Sequence, residues 1–146
     1  MKYVLMDKSH VNAVADLERH CFSAPWSVNA IESELSNPLS LWLVAVEGEQ
    51  VVGYVGSQSV LEEADMMNLA VDPSFRRAGV ARNLVDRLIS MLHEKQVSKL
   101  TLEVRASNDP AIKLYESMGF VLVGKRPGYY AKPREDALIY RKEWEV

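Results

Sequence analysis

Three arginines and a glycine fall within seven residues, Arg76-Arg77-Ala78-Gly79-Val80-Ala81-Arg82. Upstream, the apolar run Leu69-Ala70-Val71 stops at Asp72-Pro73, where a proline cannot continue a strand ladder. Downstream, Val80, Leu84, Val85, Leu88, Ile89 and Leu92 recur at helical spacing. The basic, glycine-containing loop therefore joins a strand to the start of a helix. Unpaired N–H groups converge at such a start, the macrodipole favours negative charge, and Gly79 lets an anion approach the main chain without a Cβ in the way. The loop lacks the Gly-Lys-Ser/Thr ending of a nucleotide P-loop and the three-glycine dinucleotide fingerprint, so a pyrophosphate without nucleoside-triphosphate chemistry is the better match. The plainer reading is an exposed basic turn before an ordinary amphipathic helix.

Two further side chains, Glu103 and Tyr115, are of types that can exchange protons. In Lys99 to Val104, Leu100, Leu102 and Val104 alternate with Thr101 and Glu103, so Glu103 points away from its apolar neighbours. Asn108-Asp109-Pro110 starts a helix, with Asn108 as cap. Tyr115 lies seven residues on, two turns along the same face, where it and Asn108 can line one wall of a cleft. Each has a structural alternative. Glu103 could be the solvent-facing member of an alternating strand, and Tyr115 belongs to a stripe with Ala111, Leu114 and Met118 that would ordinarily be core.

The elements that must hold these residues can be read in order. Lys2 to Met6 is a short strand, and Asp7 or Ser9 caps a helix running to about Phe22. Pro25 breaks it, and Ser27 caps a second helix to about Asn37. Leu41–Glu47 and Gln50–Val60 read as a hairpin turning at Gly48-Glu49. Gly53 and Gly56 inside that second strand mark a bulge or a close packing contact. Glu62–Asp72 is the next strand, and the helix after the basic loop ends near Gln96. Gly119 ends the helix that begins at Asn108. Phe120–Gly124 and Ala137–Tyr140 are the last strands, joined by a loop containing Pro127-Gly128-Tyr129-Tyr130. The order is strand, two helices, three strands, helix, strand, helix, two strands. It implies an α/β (α+β) fold with a mixed sheet and helices on both faces.

Composition is consistent with one domain over residues 1–146, with 48% hydrophobic residues and a formal charge of −3. Charges of both signs alternate along the chain, which argues against direct nucleic-acid binding. The longest apolar run, Leu41 to Val46, is far too short to span a membrane, and the N-terminus lacks a signal-peptide pattern, so a cytoplasmic protein without membrane contact is expected. Cys21, the single cysteine, permits no internal disulfide. His10, His20 and His93 have no ligand spacing, so no metal site is expected. Oligomeric state is not legible.

The pattern Arg76-x-x-Gly79-x-Ala81 resembles the Arg/Gln-x-x-Gly-x-Gly/Ala signature of the GCN5-related N-acetyltransferases (GNAT). Glu103-Val-Arg-Ala-Ser-Asn108 with Ala111 to Phe120, and Ala24-Pro-Trp-Ser27, are similar to the corresponding segments of the RimI-type alanine N-acetyltransferases, which modify the N-terminus of a small-subunit ribosomal protein. The element order coincides with that fold over nearly the whole chain. The resemblance implies a mostly antiparallel seven-stranded sheet splayed between its fourth and fifth strands, with acetyl-coenzyme A in the splay. It implies pyrophosphate binding by Arg76, Arg77, Ala78, Gly79, Val80, Ala81 and Arg82, and contacts to the acetyl and pantetheine groups from Leu69, Ala70 and Val71, with Asn108 and Tyr115 also on the cofactor. Glu103 is implied as general base and Tyr115 as general acid. Phe22, Trp26, Tyr129 and Tyr130 are implied on the substrate side, although Trp26 could equally be a hydrophobic plug. A lysine or small-molecule amine as acceptor, and a non-catalytic acyl-coenzyme-A-binding module, are the competing readings.

Overall fold

The computed structural model describes residues 1–146. Seven strands form one sheet: β1 (Lys2–Leu5), β2 (Ser40–Glu47), β3 (Gln50–Val60), β4 (Glu63–Val71), β5 (Lys99–Arg105), β6 (Val121–Tyr130) and β7 (Glu135–Glu143). Their order across the sheet is β1-β2-β3-β4-β5-β7-β6, so β7 inserts between β5 and β6. All neighbours are antiparallel except β4 and β5, which run parallel and pair only from Glu63–Lys99 to Asp65–Thr101. Beyond Asp65 the two strands part.

Four helices cover the sheet: α1 (Val11–Cys21) and α2 (Val28–Glu34) on one face, α3 (Val80–Glu94) and α4 (Asp109–Ser117) on the other. Alternation along β2 sorts the core, with Leu41, Leu43 and Ala45 packing toward α3 and Trp42 and Val44 toward α1 and α2. The glycines of β3 make close approaches. A Cβ on Gly53 would press on Val80 and Leu84 of α3, and one on Gly56 would collide with the Trp42 ring, which stacks on Tyr54 at 5.9 Å.

The element order is the expected one; the ends of several elements differ. A capped 3-10 turn, Lys8–His10, precedes α1, because Asp7 and His10 satisfy each other's backbone and side-chain groups. α2 is short and ends at Glu34. Pro127 to Tyr130 were expected in a loop, yet they belong to the end of β6. An irregular register between Arg126 and Tyr130 absorbs Pro127 and Gly128 without ending the pairing with β7, and Glu135 is already paired with Tyr130.

Candidate active site

Where β4 leaves β5, its edge is open. A register shift between Gly56 and Ser57 opposite Asn68 and Met66 makes Met67 the extra residue of a bulge, just before Leu69-Ala70-Val71. β3 pairs those three residues along one edge, so alternate backbone groups face the gap on the β5 side.

The basic loop follows after a 3-10 turn, Pro73–Phe75, capped by Asp72. Gly79 is the N-cap of α3 at φ +76°, a left-handed conformation that favours glycine, and the space where its Cβ would stand is empty. The first backbone bond of α3 runs from Asn83 N–H to the Gly79 carbonyl at 3.0 Å. The N–H groups of residues 77–82 have no acceptor within the fold, so they form a donor cluster at a helix start. Arg82 is braced there by a 2.6 Å bond to Ser117 Oγ of α4. Arg76 lies apart from the cluster, its Nε donating to the Val71 carbonyl at 3.4 Å and its guanidinium directed toward Cys21. Of the three arginines, Arg77 and Arg82 accompany the free N–H groups.

Glu103 and Tyr115 approach the gap from opposite faces of the sheet. Leu100, Leu102 and Val104 pack toward α3 and α4, which sends Glu103 to the α1/α2 face. Its Oε2 is buried and accepts no hydrogen bond, while its Oε1 lies 3.5 Å from Arg126 Nη2 of β6. Tyr115 belongs to the core cluster on the α3/α4 face, packed edge-on against Phe120, so its stripe is core as periodicity suggests. Its hydroxyl nevertheless reaches the mouth of the gap, 4.0 Å from Met66 Sδ. Burial raises the Tyr115 pKa, and the neighbouring Tyr130 phenol raises it further. Tyr130 is itself pushed up to about 12, first by burial and then by the Glu103 carboxylate. Tyr130 thus lies within electrostatic reach of both Glu103 and Tyr115. Asn108 caps α4, its Oδ1 accepting from Ala111 N–H at 3.3 Å.

The two tyrosines of β6 are held by cations. Arg105 stacks 4.5 Å from the Tyr130 ring centre and donates to the Ala131 and Pro133 carbonyls and to Glu135. Arg126 lies 5.5 Å from the Tyr129 ring, and the two phenol rings meet edge to face. At the α1–α2 connection, Trp26 packs against Trp42 at 5.5 Å and Phe22 joins the same cluster, and both residues are half-buried.

Sequence reasoning missed Glu18. This carboxylate is wholly buried and accepts from Trp26 N–H, Asn68 Nδ2 and the Tyr54 hydroxyl. It ties the α1–α2 connection to β3 and to β4 beside the bulge. The signal was present, because Glu18 continues the buried spacing Val11, Val14, Ala15 along α1. A charge on a core stripe needs partners.

An open sheet edge, a donor cluster at a helix start, and a carboxylate and a phenol at the gap between them are the parts of an acyl-transfer site. Residues 11–120 match the Acetyltransferase (GNAT) family, and the chain belongs to it. Members of that family are acetyltransferases that draw on acetyl-coenzyme A. Among individual relatives, the chain is 38% identical over 138 residues to the [ribosomal protein bS18]-alanine N-acetyltransferase of Salmonella typhimurium, covering 92% of each chain. It is 34% identical over 130 residues to the putative enzyme of that name from Bacillus subtilis, covering 88% of this chain and 86% of the relative. The crystal structure of the Escherichia coli ribosomal-protein-S18-alanine N-acetyltransferase superposes with a TM-score of 0.91 at 33% identity, over 99% of this chain and 94% of that one. NAA60 of Arabidopsis thaliana, solved with acetyl-coenzyme A, shares the fold at a TM-score of 0.89 and 19% identity.

Proposed function

We propose that this protein transfers the acetyl group of acetyl-coenzyme A to the N-terminal α-amine of a protein, the N-terminal alanine of ribosomal protein bS18 being the substrate that its relatives' names point to. The observation that carries the catalytic assignment is the buried, unpartnered Oε2 of Glu103 beside the β4/β5 gap. A buried carboxylate oxygen without a donor is costly unless it has a task, and accepting an amine proton is one.

In this reading the N–H groups of residues 77–82, with Arg77 and Arg82, hold the pyrophosphate. Backbone groups of Leu69 to Val71 hold the pantetheine arm and polarise the acetyl carbonyl. The neutral amine attacks that carbon, so the C–N bond forms as the C–S bond breaks. Glu103 takes the proton released by the attacking nitrogen, directly or through water, and Tyr115 gives its proton to the departing thiolate. The Tyr115 phenol, like any phenol of pKa about 10, is protonated at neutral pH, the form an acid requires, and burial raises its pKa further. Phe22 and Trp26 on one wall, with Tyr129 and Tyr130 on the other, bound the peptide channel. An α-amine, with a pKa of about 8 against about 10.4 for lysine, costs less to present in neutral form. In this reading the transfer is direct, within a ternary complex, and the protein works in the cytoplasm.

The test is a panel of peptides with mass detection: one beginning with alanine, the same peptide with its α-amine blocked, and one whose only amine is lysine. Acetylation of the first alone is expected. Preferential modification of the lysine peptide would overturn the assignment, and acetyl-coenzyme A binding with no transfer to any amine would indicate a non-catalytic module.

A further inference from the structure

Ala131 to Arg134, the exposed turn between β6 and β7, make no backbone hydrogen bond. One side chain holds the segment. Arg105 Nη2 donates to the Ala131 carbonyl at 3.0 Å and Nη1 to the Pro133 carbonyl at 2.9 Å, while the guanidinium lies 4.5 Å from the centre of the Tyr130 ring. Nη1 also meets Glu135 Oε1 at 3.3 Å. The other oxygen of that carboxylate accepts from Ser107 N–H at 2.6 Å, one residue before the Asn108 cap of α4. Because Val104 packs toward α3 and α4, Arg105 emerges on the same face of β5 as Glu103, about 7 Å further along the strand.

We propose that Arg105 is a positioning residue for the acceptor peptide: its fork fixes the β6–β7 turn, and with it Tyr130, relative to Glu103 and the start of α4. The inference rests on Tyr129 and Tyr130 forming one wall of the peptide channel. An exposed four-residue turn without hydrogen bonds samples many conformations, and each of them lowers the fraction of molecules whose wall stands ready for a peptide. Arg105 removes that freedom. A guanidinium is planar, stays charged and aims five donors in fixed directions, so it can satisfy two carbonyls and a carboxylate while its face lies on a ring. A lysine carries the same charge on a single nitrogen and cannot fill those positions together. Glu135 fixes the guanidinium in turn and joins the assembly to the entry of α4, the helix that carries Tyr115. The contacts of Arg105 are with the turn and the wall, so its effect falls on peptide binding rather than on cofactor binding.

The experiment measures steady-state kinetics with an alanine-initiated peptide, and calorimetric affinity for acetyl-coenzyme A, in the wild type, Arg105→Met and Arg105→Lys, well below the thermal transition of each. Both variants are expected to raise the peptide KM roughly tenfold or more, with kcat within about threefold and cofactor affinity unchanged. Amide exchange over residues 128–136 should quicken in both. A variant that only unfolds in part loses active molecules, which lowers kcat and leaves the peptide KM where it was; that result overturns the proposal. A wild-type KM in Arg105→Lys overturns it as well, because charge and not the fork would then be the source of the effect. Failure of the underlying reading is separate: the double variant Tyr129→Ala, Tyr130→Ala would keep the wild-type peptide KM, which removes the peptide from this wall and the proposal with it.

Discussion

The Tyr54 hydroxyl of β3 donates to the Glu18 carboxylate of α1, thirty-six residues away, inside a core that excludes water from both. Asn68 and the Trp26 backbone complete the set of donors at 2.7 and 3.2 Å. Truncation therefore strands one buried donor, the Tyr54 hydroxyl, and two half-buried ones. Glu18→Ala is expected to cost about 3 kcal/mol or more, read from urea unfolding, whereas Glu18→Gln keeps an acceptor for two of them and should cost less. Burial raises the Glu18 pKa, so the folded state holds its proton more tightly than the unfolded state does. The stability from that proton is fully present below the unfolded pKa and is lost as pH rises through the folded one. Raising pH from about 5 to 8 should thus weaken the wild type relative to Glu18→Gln. A pH-independent difference would show that Glu18 keeps one protonation state throughout.

Gly79 combines a left-handed φ with open space beside a cluster of free N–H groups. In Gly79→Ala the new methyl meets no protein atom, and the left-handed backbone costs about 1–2 kcal/mol. The fold should survive while the apparent constant for acetyl-coenzyme A rises roughly tenfold or more, because the methyl intrudes on the phosphate position. Calorimetric titration checks this. Unchanged affinity would move the pyrophosphate away from this loop.

Glu103→Gln keeps the shape and the hydrogen-bonding capacity of the side chain and removes the proton acceptor. A fall in kcat of roughly a hundredfold is expected, with cofactor affinity nearly unchanged. Wild-type turnover at neutral pH would hand the proton to water or to another group.

Tyr115→Phe separates packing from chemistry, because the only partner of the hydroxyl is Met66 Sδ at 4.0 Å. Stability should change by no more than about 1 kcal/mol, while kcat falls roughly ten- to a thousandfold. The Tyr115 pKa lies above that of an ordinary phenol, so no loss of wild-type kcat between pH 7 and 9 should trace to this group. Thermal unfolding and steady-state kinetics on one preparation give both readings. A destabilised variant with normal turnover would make Tyr115 a core residue alone.

Local pattern determined most of the element order, the helix-capping roles of Ser27 and Asn108, the side of β5 that Glu103 occupies, and the helix start at Gly79. Each depends on side-chain period or backbone conformation over a few residues, and both are written in the chain itself. What the tertiary structure decided depends on pairings across long separations. Period does not name a strand's neighbour, so the insertion of β7 between β5 and β6 was not legible, nor was the pairing that carries Tyr129 and Tyr130 into β6. The same holds for the contacts of Arg126 with Glu103 and of Glu18 with Tyr54 and Asn68, where burial makes each charge depend on partners that only folding brings within reach.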